Sequence, residues 1–301
     1  MIADAVRKIA PFILCVLLAG FAPGCTVPPY ETGLDEVLEE EGRSSRTRYG
    51  YRCTMGAHRG ASDKYRENSR AALLSADHNR RYAFVEFDVQ YSRDNRIVVY
   101  HDRTLWRLDG MAQAVGEMTF AELSEATGGE IAAYDEVAPL LKKKVNIEIK
   151  SQGDDREDER LVDEIMRDVL ARKREKDVLI SSISSSVVRY VGRKYPEVPT
   201  GRIFWITSST YLHLDVLTKR LFDELSETQA DYLMMHVANL RNIEDLVEFK
   251  PSGKTLVFWD FDDTMFIVHK DLSDRLWGDS WIRNLFQHVR YKLASPFQRR
   301  T

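Results

Sequence analysis

His58 and Arg59 stand side by side in the run Gly56-Ala57-His58-Arg59-Gly60. The pair suits phosphate chemistry, because an arginine offers phosphate oxygens a planar fork and a histidine moves a proton near neutral pH. Phe84-Val85-Glu86-Phe87-Asp88 sets two carboxylates at alternate positions, which on a strand puts both on one face. Acids among hydrophobic residues need a neutralising charge, and a divalent cation with oxygen ligands is the simplest one. Asn146-Ile147-Glu148-Ile149-Lys150 repeats the alternation, so that Glu148 can complete a three-carboxylate metal site and Lys150 can hold a phosphate oxygen. His101, followed by Asp102, ends a short apolar run and supplies a second histidine. Two histidines let one side chain accept a proton while the other donates one. Each signal has a plainer competitor when taken alone: a packed histidine at position 58, or a solvated Glu148–Lys150 pair on a short strand.

The elements that must position these residues alternate β-rich runs with helical ones, a pattern that predicts a parallel sheet wrapped by helices. Strands are expected at Thr54–His58, Tyr82–Val89, Lys144–Lys150, Val178–Ser181, Gly201–Ile206, Asp231–Met235 and Thr255–Trp259. Helices are expected between them, several opened by Ser, Thr or Asp caps. Ile97–Tyr100 follows Val89 too closely for a parallel crossover, which takes a dozen or more residues. It reads as an irregular return beside the second strand, and Thr264–Val268 is the other candidate to close a barrel. No G-x-G-x-x-G follows Met55, which disfavours an open nucleotide-binding sheet and favours an α/β chain of the (β/α)₈ TIM-barrel type. In such a barrel, His58 and the paired acids fall at strand ends on the catalytic face.

Composition narrows the function classes. The 301 residues carry 43 basic and 47 acidic side chains, a formal charge of −4, so a nucleic-acid partner is not expected. Three cysteines, Cys15, Cys25 and Cys53, exclude a disulfide scaffold, and lone Cys53 reads as a packing residue. Arg7 and Lys8 precede an apolar run from Ile9 to Ala19. A bilayer span takes about 20 residues, so this run reads as an export signal over residues 1–25. Ala22-Pro23-Gly24-Cys25 resembles a bacterial lipobox, with Pro23 as a departure, and Cys25 is the expected lipid tether, with ordinary signal cleavage and an uncleaved anchor as the alternatives. Residues 26–50 read as a tether with a small helix, 51–290 as the barrel and 291–301 as a basic tail. The expected location is outside the cytoplasm, in the periplasm or at the cell surface.

In order, His58-Arg59-Gly60, Glu67-Asn68, Glu86-x-Asp88, Ser92-x-Asp94, Val98-Val99-x-His101-Asp102 and Asn146-Ile147-Glu148-Ile149-Lys150 resemble the glycerophosphodiester phosphodiesterase family. Ser181-Ser182 and Trp259 extend the resemblance more weakly. The resemblance implies a (β/α)₈ barrel in which Glu86, Asp88 and Glu148 bind Ca²⁺ or Mg²⁺. It makes His58 and His101 the acid–base pair and sets Arg59 and Lys150 on the phosphoryl group. It implies hydrolysis of a glycerophosphodiester to glycerol 3-phosphate and an alcohol, with Glu67 and Asn68 bracing the first loop. Phospholipase D-like attack on lysophospholipids or sphingolipids, or headgroup binding without turnover, are the competing functions. Arg66 stands where the family commonly has proline, and Glu130–Tyr134 lacks its Pro-Thr pair. The usual closing strand after Trp259 is missing, so a remodelled C-terminal closing unit is expected. Asp260-x-Asp262-x-Thr264 also looks like a haloacid-dehalogenase-type nucleophile motif, but too little chain follows for the rest of that fold.

Overall fold

The computed structural model describes residues 31–34, 36–37, 51–204, 214–237, 239, 243–248, 250–260 and 264–269. The proposed signal with Cys25, residues 205–206 of one expected strand, Asp262 and the basic tail lie outside the described residues. The strands are β1 (Glu31–Gly33), β2 (Arg52–Ala57), β3 (Phe84–Tyr91), β4 (Ile97–Val99), β5 (Ala132–Ala133), β6 (Lys144–Ile149), β7 (Val178–Ser182), β8 (Thr200–Phe204), β9 (Tyr232–His236), β10 (Thr255–Trp259) and β11 (Thr264–His269). The helices are α1 (Arg70–His78), α2 (Trp106–Asp109), α3 (Phe120–Ala126), α4 (Tyr134–Val137), α5 (Asp155–Ala171), α6 (Ser185–Lys194), α7 (Leu214–Thr228) and α8 (Ile243–Glu248).

Strands β2, β3, β6, β7, β8, β9, β10 and β11 close into a barrel, because β2 pairs with both β3 and β11. The first seven run parallel, while β11 is antiparallel to both β10 and β2. This is the difference from a regular (β/α)₈ barrel. The backbone N–H of Asp260 donates to the carbonyl of Thr264 at 3.0 Å, so the chain turns back as a hairpin after Trp259. The Asp260 motif therefore joins two barrel strands and does not open a new domain.

Alternation sorts the side chains. Val85, Phe87 and Val89 of β3 and Val145, Ile147 and Ile149 of β6 point outward into one core with Leu161, Ile165 and Met166 of α5. Inside the barrel, Phe84, Ile203, Met234, Val257, Trp259 and Met265 form a separate apolar plug. Gly56 makes room for it, since a Cβ there would lie 2.1 Å from the Phe84 ring. Ser, Thr and Asp caps open four of the described helices. Ser69, Asp154 and Ser184 accept from the first-turn N–H groups of α1, α5 and α6, and Thr119 with Glu122 forms a capping box on α3.

Ile97–Val99 does return beside β3, pairing antiparallel with it as Val89↔Val99. Part of the stretch read as a tether is docked on the barrel. Strand β1 pairs with Arg52–Thr54 of β2, and Leu34 and Val37 are buried with Cys53, Phe266 and Val268. The physical reason is an edge: β3 pairs only with Gly56 and Ala57 of β2, so the lower half of that strand edge needs other hydrogen-bond partners.

Candidate active site

The barrel strands deliver their polar residues to one mouth. Register sets Glu86 beside Asn146 and Asp88 beside Glu148, all on the inward face. Ligand oxygens of Glu86, Asp88 and Glu148 lie within 4.8 Å of one another, and all three residues are buried. Burial and the neighbouring charges of Asp88 and Glu148 push the Glu86 carboxyl well above its ordinary value. Burial also raises Glu148, against the opposing pull of Lys150. Asp88 is equally buried, but Lys150, His101 and Arg59 outweigh that and hold it well below the usual range. Glu86 Oε1 has no hydrogen-bond donor among the described residues. Three converging hard oxygen donors with surplus negative charge and an unpartnered buried oxygen fit a divalent cation such as Ca²⁺ or Mg²⁺.

His58 and Arg59 follow β2 directly. Arg59 adopts φ 58° and Gly60 φ 79°, a tight turn that packs Gly60 against the backbone of Ala72 in α1. A Cβ on Gly60 would lie 2.6 Å from the Ala72 carbonyl carbon, so the position needs glycine. The turn aims the Arg59 N–H at Glu86 Oε2, 2.7 Å away. His58 Nε2 stands 4.0 Å from the same oxygen, and its ring lies 5.6 Å from that of Trp259. Burial, and then the charge of Arg59, lower the His58 pKa well below the usual histidine value. Asn68, at φ 60°, donates from Nδ2 to Asp88 Oδ2 at 2.7 Å and accepts from the Asp88 N–H at 3.2 Å. It orients a proposed metal ligand in addition to bracing the first loop. Lys150 Nζ contacts Asp88 Oδ1 at 2.8 Å and also reaches Glu148.

His101 comes from the loop after β4. The Tyr100 N–H donates to the Asp88 carbonyl, and Gln90 Nε2 donates to the carbonyls of Tyr100 and Asp102, which pins this loop across the mouth. His101 Nδ1 lies 2.6 Å from Asp102 Oδ1. His101, Glu148 and Lys150 line a cleft of about 700 Å³ that continues past Arg103, Gln152 and Ser184.

The structure thus brings all seven sequence-predicted site residues to one end of the barrel. It adds Asn68 and Gln90 as positioning groups, along with an ion-pair chain through Glu67 and Arg107. His236 sits at the end of β9 with its ring 4.8 Å from Trp259, one ring removed from His58. Arg66, the departure from proline, holds Asp109 of α2 through Nη1 and Nη2 at 2.7 and 2.6 Å. Only the equal end-of-strand positions of His236 and Trp259 in the alternating pattern could have signalled their meeting. Gln90, inward-facing two residues beyond Asp88, was legible on the same ground.

A closed mixed barrel with acids, histidines and cations gathered at one mouth is the framework of a phosphodiesterase. The model of the glycerophosphoryl diester phosphodiesterase family matches residues 58–276, and the chain belongs to that family. Human lysophospholipase D GDPD3 is 25% identical over 263 residues, which cover 69% of this chain and 76% of the human protein. A glycerophosphodiester phosphodiesterase of Bacillus altitudinis is 34% identical over 109 residues, 32% of this chain and 44% of that protein. Among solved structures, the glycerophosphodiester phosphodiesterase of Thermotoga maritima superimposes with a TM-score of 0.51 at 26% identity, over 68% of this chain and 84% of that one. The Oleispira antarctica phosphodiesterase, solved with its product sn-glycerol-3-phosphate, has a TM-score of 0.51 at 22% identity over 68% and 83% of the two chains and supports the fold.

Proposed function

We propose that this phosphodiesterase hydrolyses glycerophosphodiesters to glycerol 3-phosphate and an alcohol, with Glu86, Asp88 and Glu148 holding one Ca²⁺ or Mg²⁺. The observation that carries the reading is the convergence of those three buried carboxylates at the mouth shared by His58 and His101. The bound cation would supply positive charge that draws the phosphoryl oxygens and favours ionisation of the attacking hydroxyl. Arg59 and Lys150 add fixed positive charge where negative charge gathers on those oxygens. One histidine takes the proton of the attacking glycerol 2-hydroxyl or water, and the other protonates the departing alcohol. With Nδ1 occupied by Asp102, His101 presents Nε2 for that transfer.

A second reading rests on the human relative, a lysophospholipase D, and replaces the small headgroup ester with a lysophospholipid. The complete set of site residues argues against binding without turnover. Residues 1–25 support export with lipid on Cys25, for which metabolic palmitate labelling of the wild type and Cys25→Ser is the check.

The test of the function is release of glycerol 3-phosphate from glycerophosphocholine by the chain lacking residues 1–25. It is run with added Ca²⁺ or Mg²⁺ and with chelator, beside His58→Ala and Glu148→Ala. Metal-dependent release lost in both variants supports the proposal. No release by a folded wild type, together with turnover of lysophosphatidylcholine, moves the assignment to the second reading.

A further inference from the structure

One chain of ion pairs joins the two loops that carry the histidines, and Arg107 of α2 is its centre. Arg107 Nε donates to Asp102 Oδ2 at 2.6 Å, while Asp102 Oδ1 faces His101 Nδ1 at 2.6 Å. On the other side, Arg107 Nη1 donates to Glu67 Oε2 at 2.8 Å, and Nη2 donates to Glu67 Oε1. Glu67 Oε1 also accepts from Arg59 Nη1 at 2.9 Å, and the Arg59 backbone N–H reaches Glu86 at 2.7 Å. All three guanidinium nitrogen positions of Arg107 are therefore used, each toward a carboxylate that holds a site residue.

We propose that Arg107 is a positioning residue that sets His101 against Arg59 by clamping Asp102 and Glu67 at once. The inference rests on the functional reading of His101 and Arg59 given above. The geometry needs a planar, rigid fork: two parallel bonds to Glu67 and a third, in a different direction, to Asp102. A lysine supplies charge without that directionality. Arg107 is 45% exposed at the side chain while Glu67 is only 12% exposed, so the clamp closes over its partners from the solvent side. Without it, Asp102 keeps its contact with His101 but loses the partner that fixes its own orientation, and the imidazole gains rotational freedom.

The experiment compares wild type, Arg107→Lys, Arg107→Ala, Asp102→Asn and the Arg107→Ala/Asp102→Asn pair. The expected result is a kcat lower by about 10–100-fold in both Arg107 variants, the range for groups that orient a site residue from behind. KM stays within about threefold, because Arg107 touches neither the carboxylates of the metal site nor the phosphate-facing groups. The double variant is expected to be no slower than about the worse single variant, since both substitutions break one clamp. Added guanidinium at millimolar concentration is expected to recover part of the rate of Arg107→Ala and none of that of Asp102→Asn. Ring ¹⁵N shifts of His101, which need no turnover, are expected to change from one tautomer in the wild type to a mixture in Arg107→Ala. Calorimetric titration with Ca²⁺ is expected to be unchanged. An unaltered kcat and an unaltered His101 spectrum in both Arg107 variants would overturn the proposal. So would a rate loss that follows only a fall in melting temperature or Ca²⁺ affinity. Wild-type inactivity on every diester would count against the functional reading, and the ¹⁵N shifts still decide on the clamp.

Discussion

Phe84, Glu86 and Asp88 occupy successive inward positions of one strand, yet the lower one belongs to an apolar plug and the upper two to a charged mouth. The plug is held by contact: Phe84 fills the space left by Gly56, and Met234 packs beside Gly201 in the same way. The mouth is held by charge, with Lys150 and Arg59 ion-paired and Asn68 hydrogen-bonded to Asp88, a carboxylate that burial alone would raise. One ladder of backbone bonds can therefore carry two kinds of stability, provided the apolar layer below excludes water and fixes the strands. Substitutions in the plug are therefore read through volume, and substitutions in the mouth through charge.

The sharpest break between the two is at the mouth. His58→Ala or His101→Ala is expected to lower kcat by about 10²–10⁴-fold, as for loss of a general acid or base, and at the partly exposed His101 with little change in melting temperature. Steady-state rates and thermal melts on the same samples check this, and a large fall in stability for His101→Ala would contradict the division between mouth and plug. At the plug the signs reverse. Phe84→Ala is expected to cost about 3–5 kcal/mol of stability, the usual range for emptying a buried phenylalanine site. Gly56→Ala alone is expected to cost about 1–3 kcal/mol by overpacking, and much less once Phe84 is already alanine. Urea denaturation of the two singles and the double reads that non-additivity, and additive values would mean that Gly56 does not serve Phe84.

Removal of the proposed cation comes next in size. At a free metal concentration of about 100 times Kd, binding adds about 2.7 kcal/mol, so chelation is expected to lower the melting temperature of the wild type. In Glu86→Gln, calorimetry is expected to find the chelator effect gone and the metal-free protein no less stable than the wild type, since a buried like charge has been removed. The smallest effect belongs to the outer clamp. Asp102 is lowered to about 2, because His101 and Arg107 outweigh the burial that would raise it. A depressed carboxyl stabilises the fold above its unfolded value near 3.8 and loses that contribution as pH falls toward 2. The stability difference between wild type and Asp102→Asn is therefore expected to be below about 1 kcal/mol, given its partial exposure, and to vanish between pH 4 and 2. Denaturation at pH 6 and at pH 2.5 measures it.

The mouth was more legible in the sequence than the fold that closes it. Alternate carboxylates in apolar strands declare a shared inward face, because a strand has period two and buried acids are costly. Residue type and spacing alone are enough to place Glu86, Asp88, Asn146 and Glu148 on that face. The direction of β11 did not enter the expected pattern, although four residues between Trp259 and Thr264 are too few for a parallel crossover, the same argument that rules out a parallel β4. Arg107 was illegible for a different reason. It lies on a helix of 4 residues with no periodic signal, and its Glu67 partner is 40 positions away. Local pattern carries faces and caps, whereas such a pairing exists only once two loops have been brought together by the barrel.

Closure between the first and last barrel strands has a consequence in time. Thr54 of β2 and His269 of β11 share a hydrogen bond of 2.7 Å across 215 positions of sequence, so the ring stays open until nearly the whole described chain has been made. Contacts of such span form slowly, because the chain entropy of the loop is lost before the bond rewards it. His58 sits at the end of β2, the strand that waits longest for its second neighbour. During synthesis β3 and β6 can pair early, while His58 takes its final place only when Thr264–His269 arrives.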